Sequence, residues 1–141
     1  MSLGSVVAKQ MDLSACYGGS HSPVWPATLY LALWTDNPSG SGVELTAGVG
    51  NYNRAVVPND DGHFLISGTT IVNAADWAFD AATDNYSGTY SYWGLMTTST
   101  GGDLLDYGPV TESDGVTLKT VTVNGGDQVV FPAGSVVIGA G

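Results

Sequence analysis

The chain has 141 residues, 43% of them hydrophobic, so it has room for one continuous core and needs no covalent staple. Thirteen acids against three bases give a formal charge of −10, which argues against binding nucleic acid or an anionic membrane, both of which call for Lys and Arg. Only 11% of residues are charged, so Thr, Ser, Asn and Gly must cover much of the surface.

Leu3, Val7 and Met11 recur at steps of four, with Ala8 and Ala15 added, and Gly18-Gly19 follows. This spacing predicts a short amphipathic helix within residues 1–19. So short a helix needs a surface to pack on, which makes Val7 and Met11 candidate interface residues. Cys16 is the single cysteine, which excludes an intrachain disulfide and suits a small buried thiol in that helix. Lys9, Gln10 and Asp12 interrupt any signal-peptide core, and no apolar run is long enough for a membrane helix. The chain is therefore expected to be made and folded in a cytoplasm.

Pro23 and Pro26 force an extended approach to Thr28–Thr35. There Leu29, Leu31 and Leu33 alternate with Tyr30, Ala32 and Trp34, the pattern of a central strand covered on both faces. A turn-forming loop from Asp36 to Gly42 comes next. Further strands are expected at Arg54–Val57, His63–Ser67, Thr69–Val72, Trp77–Phe79, Thr89–Thr97 and Leu104–Tyr107. Val116–Val123 reads as a strand with a bulge between Leu118 and Val121, where the apolar phase slips. Asn124-Gly125-Gly126 signals a hairpin, and Gln128–Phe131 and Ser135–Ile138 close the chain. Short strands separated by Gly, Pro and Asn turns predict a single all-β domain. The expected architecture is an antiparallel β-sandwich or jelly-roll-like barrel over residues 26–138, with the short α-helix in front.

No catalytic constellation emerges. His21 and His63 lack metal-ligand spacing, and no G-x-S-x-G elbow is present. Cys16 has no adjacent base. The acids offer no pair that spacing singles out for glycoside hydrolysis. Asn59–Gly62 and Asp80–Asn85 hold oxygen ligands of the kind calcium prefers, but turn chemistry explains both. The reading is a non-enzyme without a cofactor or metal. Aromatic residues are the remaining candidates. Asn85–Trp93 concentrates several of them, and Tyr86, Tyr90 and Tyr92 are the candidate interface or ligand residues, suited to a protein or glycan partner. Trp34, Trp77 and Trp93 are assigned to the core.

The order of motifs carries a resemblance across nearly the whole chain. Its first pieces are the Pro26–Thr35 stretch, Glu44, Asn51-Tyr52-Asn53-Arg54 and Asn73-Ala74-Ala75 ahead of Trp77. It continues through Tyr92-Trp93-Gly94-Leu95, Gly102–Gly108, Lys119-Thr120-Val121 and Gly126–Gly134. So ordered, the chain resembles a family of small tail-fibre-like or minor virion structural proteins of tailed bacteriophages. The polar loop Pro58–Gly62 is enlarged relative to that pattern. The resemblance implies a virion component, assembled in the host cytoplasm, whose partners are the major capsid protein or tail proteins. Within it, the leading expectation is a homotrimeric capsid decoration or cement protein on the particle exterior. The alternative is a tail or tail-fibre component that binds a host receptor or glycan.

Overall fold

In a computed structural model the described residues are 27–67, 70–112 and 117–138. The expected N-terminal helix, with Val7, Met11 and Cys16, and His21 with it, lies outside them. The described part is all-β, its named strands paired antiparallel, with helical geometry confined to a 3-10 turn at Val49–Asn51. In chain order the strands are β1 (Thr28–Trp34), β2 (Ala55–Pro58), β3 (Phe64–Ser67), β4 (Thr70–Asn73) and β5 (Trp77–Ala78). They continue with β6 (Tyr92–Met96), β7 (Leu104–Pro109), β8 (Val130–Phe131) and β9 (Val137–Ile138).

These form three sheets, ordered β2-β1-β6-β7, β3-β4-β9 and β5-β8. The first sheet is organised by the alternation of β1. Leu29, Leu31 and Leu33 are fully buried, and the register sets them opposite Val57, Ala55, Leu95 and Trp93. Each such side chain contributes roughly 2 kcal/mol on burial. The second sheet turns Phe64, Ile71 and Ile138 into the same core, and the third adds Trp77 and Phe131. Phe64 and Trp77 meet edge to face with centroids 5.2 Å apart.

Asn73 ties these pieces together from the inside. Its side chain is buried, donating to the carbonyls of Ala75, Phe131 and Pro132 at 3.1, 3.1 and 2.7 Å and accepting the Val136 N–H at 2.8 Å. An amide with four partners of this kind replaces the ladder that the turn between β8 and β9 interrupts.

Two sequence expectations are corrected. Val116–Val123 does not form a regular strand among its described residues, because its backbone partners come from two segments. Lys119 donates to Val110, whereas Val121 exchanges both hydrogen bonds with Tyr90. The change of partner falls inside the stretch where the apolar phase slips. Asn124–Gly126 is a turn, with Gly126 at φ +94° and the Asp127 carboxylate accepting the Asn124 N–H. Its flanks, however, pair with residues 77–90 and not with each other. Val123 accepts from Tyr86, Asp127 from Ala82 and Val129 from Phe79, ahead of the β5–β8 pairing. The result is a long irregular ribbon rather than a hairpin.

Candidate functional site

The face of the first sheet turned away from the leucines is built by register. Residues directly opposite in an antiparallel pair project to the same side. One row across the four strands is Val56, Tyr30, Met96 and Leu104; the next is Ala32, Gly94 and Tyr107; the third is Trp34, Tyr92 and Pro109. Tyr30, Trp34, Tyr92 and Tyr107 are each half-buried, while Ala32, Gly94 and Met96 lie beneath the surface. Trp34 lies over Gly94, where a Cβ would come within 2.8 Å of the indole nitrogen. At the rim, the Tyr107 hydroxyl is 3.0 Å from that of Ser39 in the β1–β2 connection. None of the residues in the three rows is charged. The outcome is an uncharged face that mixes half-buried aromatic residues with the exposed Val56 and the half-buried Leu104.

Of the residues singled out from sequence, Tyr92 belongs to this face. Tyr86 and Tyr90 do not: they are only 7% and 5% exposed and join the core. Tyr86 packs edge-on against Tyr52 at 5.4 Å, and burial, reinforced by Asp80, raises its phenol pKa. Burial pushes the Tyr90 phenol up to about 12. The ribbon explains both positions, since residues 121–131 run alongside residues 77–90 and draw their rings inward. Val7 and Met11 lie outside the described residues. Trp77 and Trp93 are in the core as expected, but Trp34 is on the uncharged face. Sequence reasoning thus missed Tyr30, Trp34 and Tyr107 as surface residues. For the first two the signal was present in the alternation of Thr28–Trp34, whose second face is aromatic and small rather than aliphatic.

A second uncharged surface lies on the β3-β4-β9 sheet. Leu65, Val72 and Val137 are directly opposite one another, with Leu65 55% and Val137 51% exposed. No charged residue occurs in β3, β4 or β9. Val137 continues this row into a groove of about 880 Å³, whose wall includes Tyr90, Val110, Val121, Val130 and Phe131.

The polar clusters are occupied with holding the fold. Glu44 accepts both Nε and Nη2 of Arg54, at 2.8 and 2.7 Å, and the Tyr52 hydroxyl at 2.8 Å. Arg54 also reaches the carbonyls of Thr98 and Gly101 with Nη1. The pair with Glu44 holds the guanidinium pKa above its ordinary value despite partial burial. In the loop that follows Pro58, Asp60 sits 2.6 Å from His63 Nδ1 and caps the turn through its own carbonyl. That hydrogen bond to His63 lowers the Asp60 pKa. Asp84 and Asn85 accept backbone N–H groups of Asn85 and Gly125. Among the described residues, no three His, Cys, Asp or Glu side chains converge.

A family model described as Podophage GP4 fiber I protein gp80 matches residues 10–139. No curated protein matches the chain.

Proposed function

The chain belongs to the family of the podophage GP4 fiber I protein gp80, and from that premise we propose that it is a non-enzymatic fibre component of a tailed-phage particle. The family's description supports the fibre seat over the capsid-decoration seat. The observation that carries the structural role is the apolar row Leu65–Val72–Val137. Paired aliphatic side chains left half exposed on a charge-free sheet suit burial against another protein. In a chain of net charge −10, such a face lets neighbouring chains approach without bringing carboxylates together. Homotrimeric assembly belongs to this reading, with the row and the groove it runs into as the apolar surface offered to a neighbouring copy.

The experiment is labelling of the chain on purified virions together with its stoichiometry against the major capsid protein. The expected result is label confined to the tail and far fewer copies than capsid protein. Label over the capsid at comparable copy number would return the reading to decoration. Leu65→Asp and Val137→Asp should leave the melting temperature of the isolated protein nearly unchanged and abolish incorporation into particles. Normal incorporation of both variants would remove the row from the proposal.

A further inference from the structure

We propose that the Asn124–Gly125 peptide is a site of spontaneous covalent modification, converting to aspartyl and isoaspartyl forms, and that Asn85 restrains the conversion in the folded chain. The inference goes beyond the structural role above and does not depend on where on the particle the chain sits.

The reaction needs an asparagine whose side-chain amide can be reached by the backbone nitrogen of the next residue. Of the chain's asparagines, Asn124 alone is followed by glycine, which has no side chain to hinder that approach. Both residues are exposed in the turn, with Gly126 after them at φ +94°. Gly125 gives up its N–H proton to solvent base, and its nitrogen attacks Asn124 Cγ. The N–Cγ bond forms, the Cγ–Nδ2 bond breaks, and the amide nitrogen leaves as ammonia after taking up a proton from solvent. Water then opens the cyclic imide. Attack at Cγ restores the backbone with aspartate at position 124, whereas attack at the main-chain carbonyl leaves a backbone that runs through Cγ and is one carbon longer. One water is consumed and one ammonia released, with no change of oxidation state.

The fold engages the atoms that have to move. The Gly125 N–H donates to Asn85 Oδ1 at 3.1 Å, so the attacking nitrogen must first give up a partner. The rest of the turn is fixed as well. The Asn124 N–H donates to Asp127 Oδ2 at 2.9 Å, and the Asn124 carbonyl accepts the Asp127 N–H at 3.0 Å. The Gly126 N–H donates to the Ala82 carbonyl at 2.8 Å. A Cβ at Gly125 would lie 3.1 Å from Asp84 Cα, so this peptide rests against the backbone of residues 83–84. Conversion puts a new carboxylate beside Asp127, whose own carboxylate already accepts the Asn124 N–H. The longer backbone of the isoaspartyl form also displaces Gly125 and Gly126 from their partners. Both changes fall on the ribbon that walls the groove through Val123 and Val129.

The test is incubation of the purified full chain in mildly alkaline buffer, followed by peptide mapping in a mass spectrometer and by labelling with an isoaspartyl methyltransferase. Modification is expected at Asn124 ahead of every other asparagine, and more slowly in the folded chain than in guanidinium. Asn85→Ala should speed the reaction of the folded chain about fivefold, as loss of one ordinary hydrogen bond implies. Asn85→Asp keeps an acceptor for the Gly125 N–H and should stay near the wild-type rate. In guanidinium all three chains should react alike, because the restraint is then gone. Failure of Asn124 to convert in either state overturns the proposal, as does a folded wild-type chain that reacts as fast as the unfolded one. A wild-type rate in folded Asn85→Ala overturns the role given to Asn85. Thermal melts show whether that variant folds. If it does not, hydrogen exchange at Gly125 in the wild-type chain decides: slow exchange supports the restraint, and exchange as fast as in the unfolded chain overturns it.

Discussion

Trp34 and Gly94 are matched across the β1–β6 pair, the indole occupying the space that any side chain at position 94 would need. A Cβ there would sit 2.8 Å from Trp34 Nε1 and 2.9 Å from Leu104 Cδ1. The motif repeats on the opposite face one strand further on. Trp93 covers Gly108, where a Cβ would lie 2.7 Å from Cζ2 of the indole. Two tryptophans on opposite sides of the first sheet thus each rest on a neighbouring strand's glycine.

Gly94→Ala is therefore expected to destabilise the protein by about 1–3 kcal/mol, the usual cost of forcing atoms into a packed site. Trp34 must lift away, so the variant should also change tryptophan fluorescence in the native state. Gly108→Ala should cost at least as much, because Trp93 is only 3% exposed and has less freedom to move. Urea denaturation of both variants checks the order.

Much of this sheet was legible in the sequence. The alternation in Thr28–Trp34 located β1 and assigned its leucine face correctly. It could not reveal that the other face is a surface, because alternating aromatic and small residues look the same under a covering layer as in the open. Tyr86 and Tyr90 sit among Ser, Gly, Asn and Thr, the local pattern of an exposed loop. Their burial is decided by residues 121–131, distant in sequence, whose hydrogen bonds hold that segment inward. Val116–Val123 failed in the complementary way. Its β-branched composition is right for a strand, but strand formation depends on a continuous partner, and here the partner changes at mid-length.

Asn73 offers a test of the turn between β8 and β9. Asn73→Leu keeps approximate volume but leaves the Phe131 and Pro132 carbonyls and the Val136 N–H without their side-chain partner. Each buried group stripped in this way costs on the order of 1–3 kcal/mol, so the loss should exceed that of an ordinary core substitution. Hydrogen exchange at Val136 should accelerate more than exchange at Leu31 in the middle of the first sheet. Equal acceleration at both sites would show that Asn73 acts on global stability alone.

The Glu44–Arg54 pair should behave as a buried ion pair. The Arg54 side chain is 6% exposed and that of Glu44 is 22%, with a 2.7 Å contact between them. Glu44→Gln leaves the guanidinium facing a neutral amide and is expected to cost about 3 kcal/mol. Arg54→Met should cost a similar amount by stranding the carboxylate, and it also releases the Thr98 and Gly101 carbonyls of the β6–β7 connection. The double variant should cost less than the sum of the two, because neither charge is then left alone. A double-mutant cycle measured by thermal melting gives the coupling directly.

The buried phenols set the alkaline limit of the fold. Burial pushes Tyr90 up to about 12, with a smaller contribution from Tyr86, and burial raises Tyr52 further, its contact with Glu44 adding to the rise. An unfolded tyrosine releases its proton near pH 10, while these stay protonated in the folded chain. Their contribution is therefore intact below about pH 10 and is lost as the pH rises towards and past 12. Spectrophotometric titration should show that Tyr52 and Tyr90 ionise only as the protein unfolds. Tyr90→Phe removes one proton from that cooperative step and should lessen the pH dependence of stability above pH 10. An unchanged slope in that variant would mean that Tyr90 is already ionised, and so already exposed, before the fold gives way.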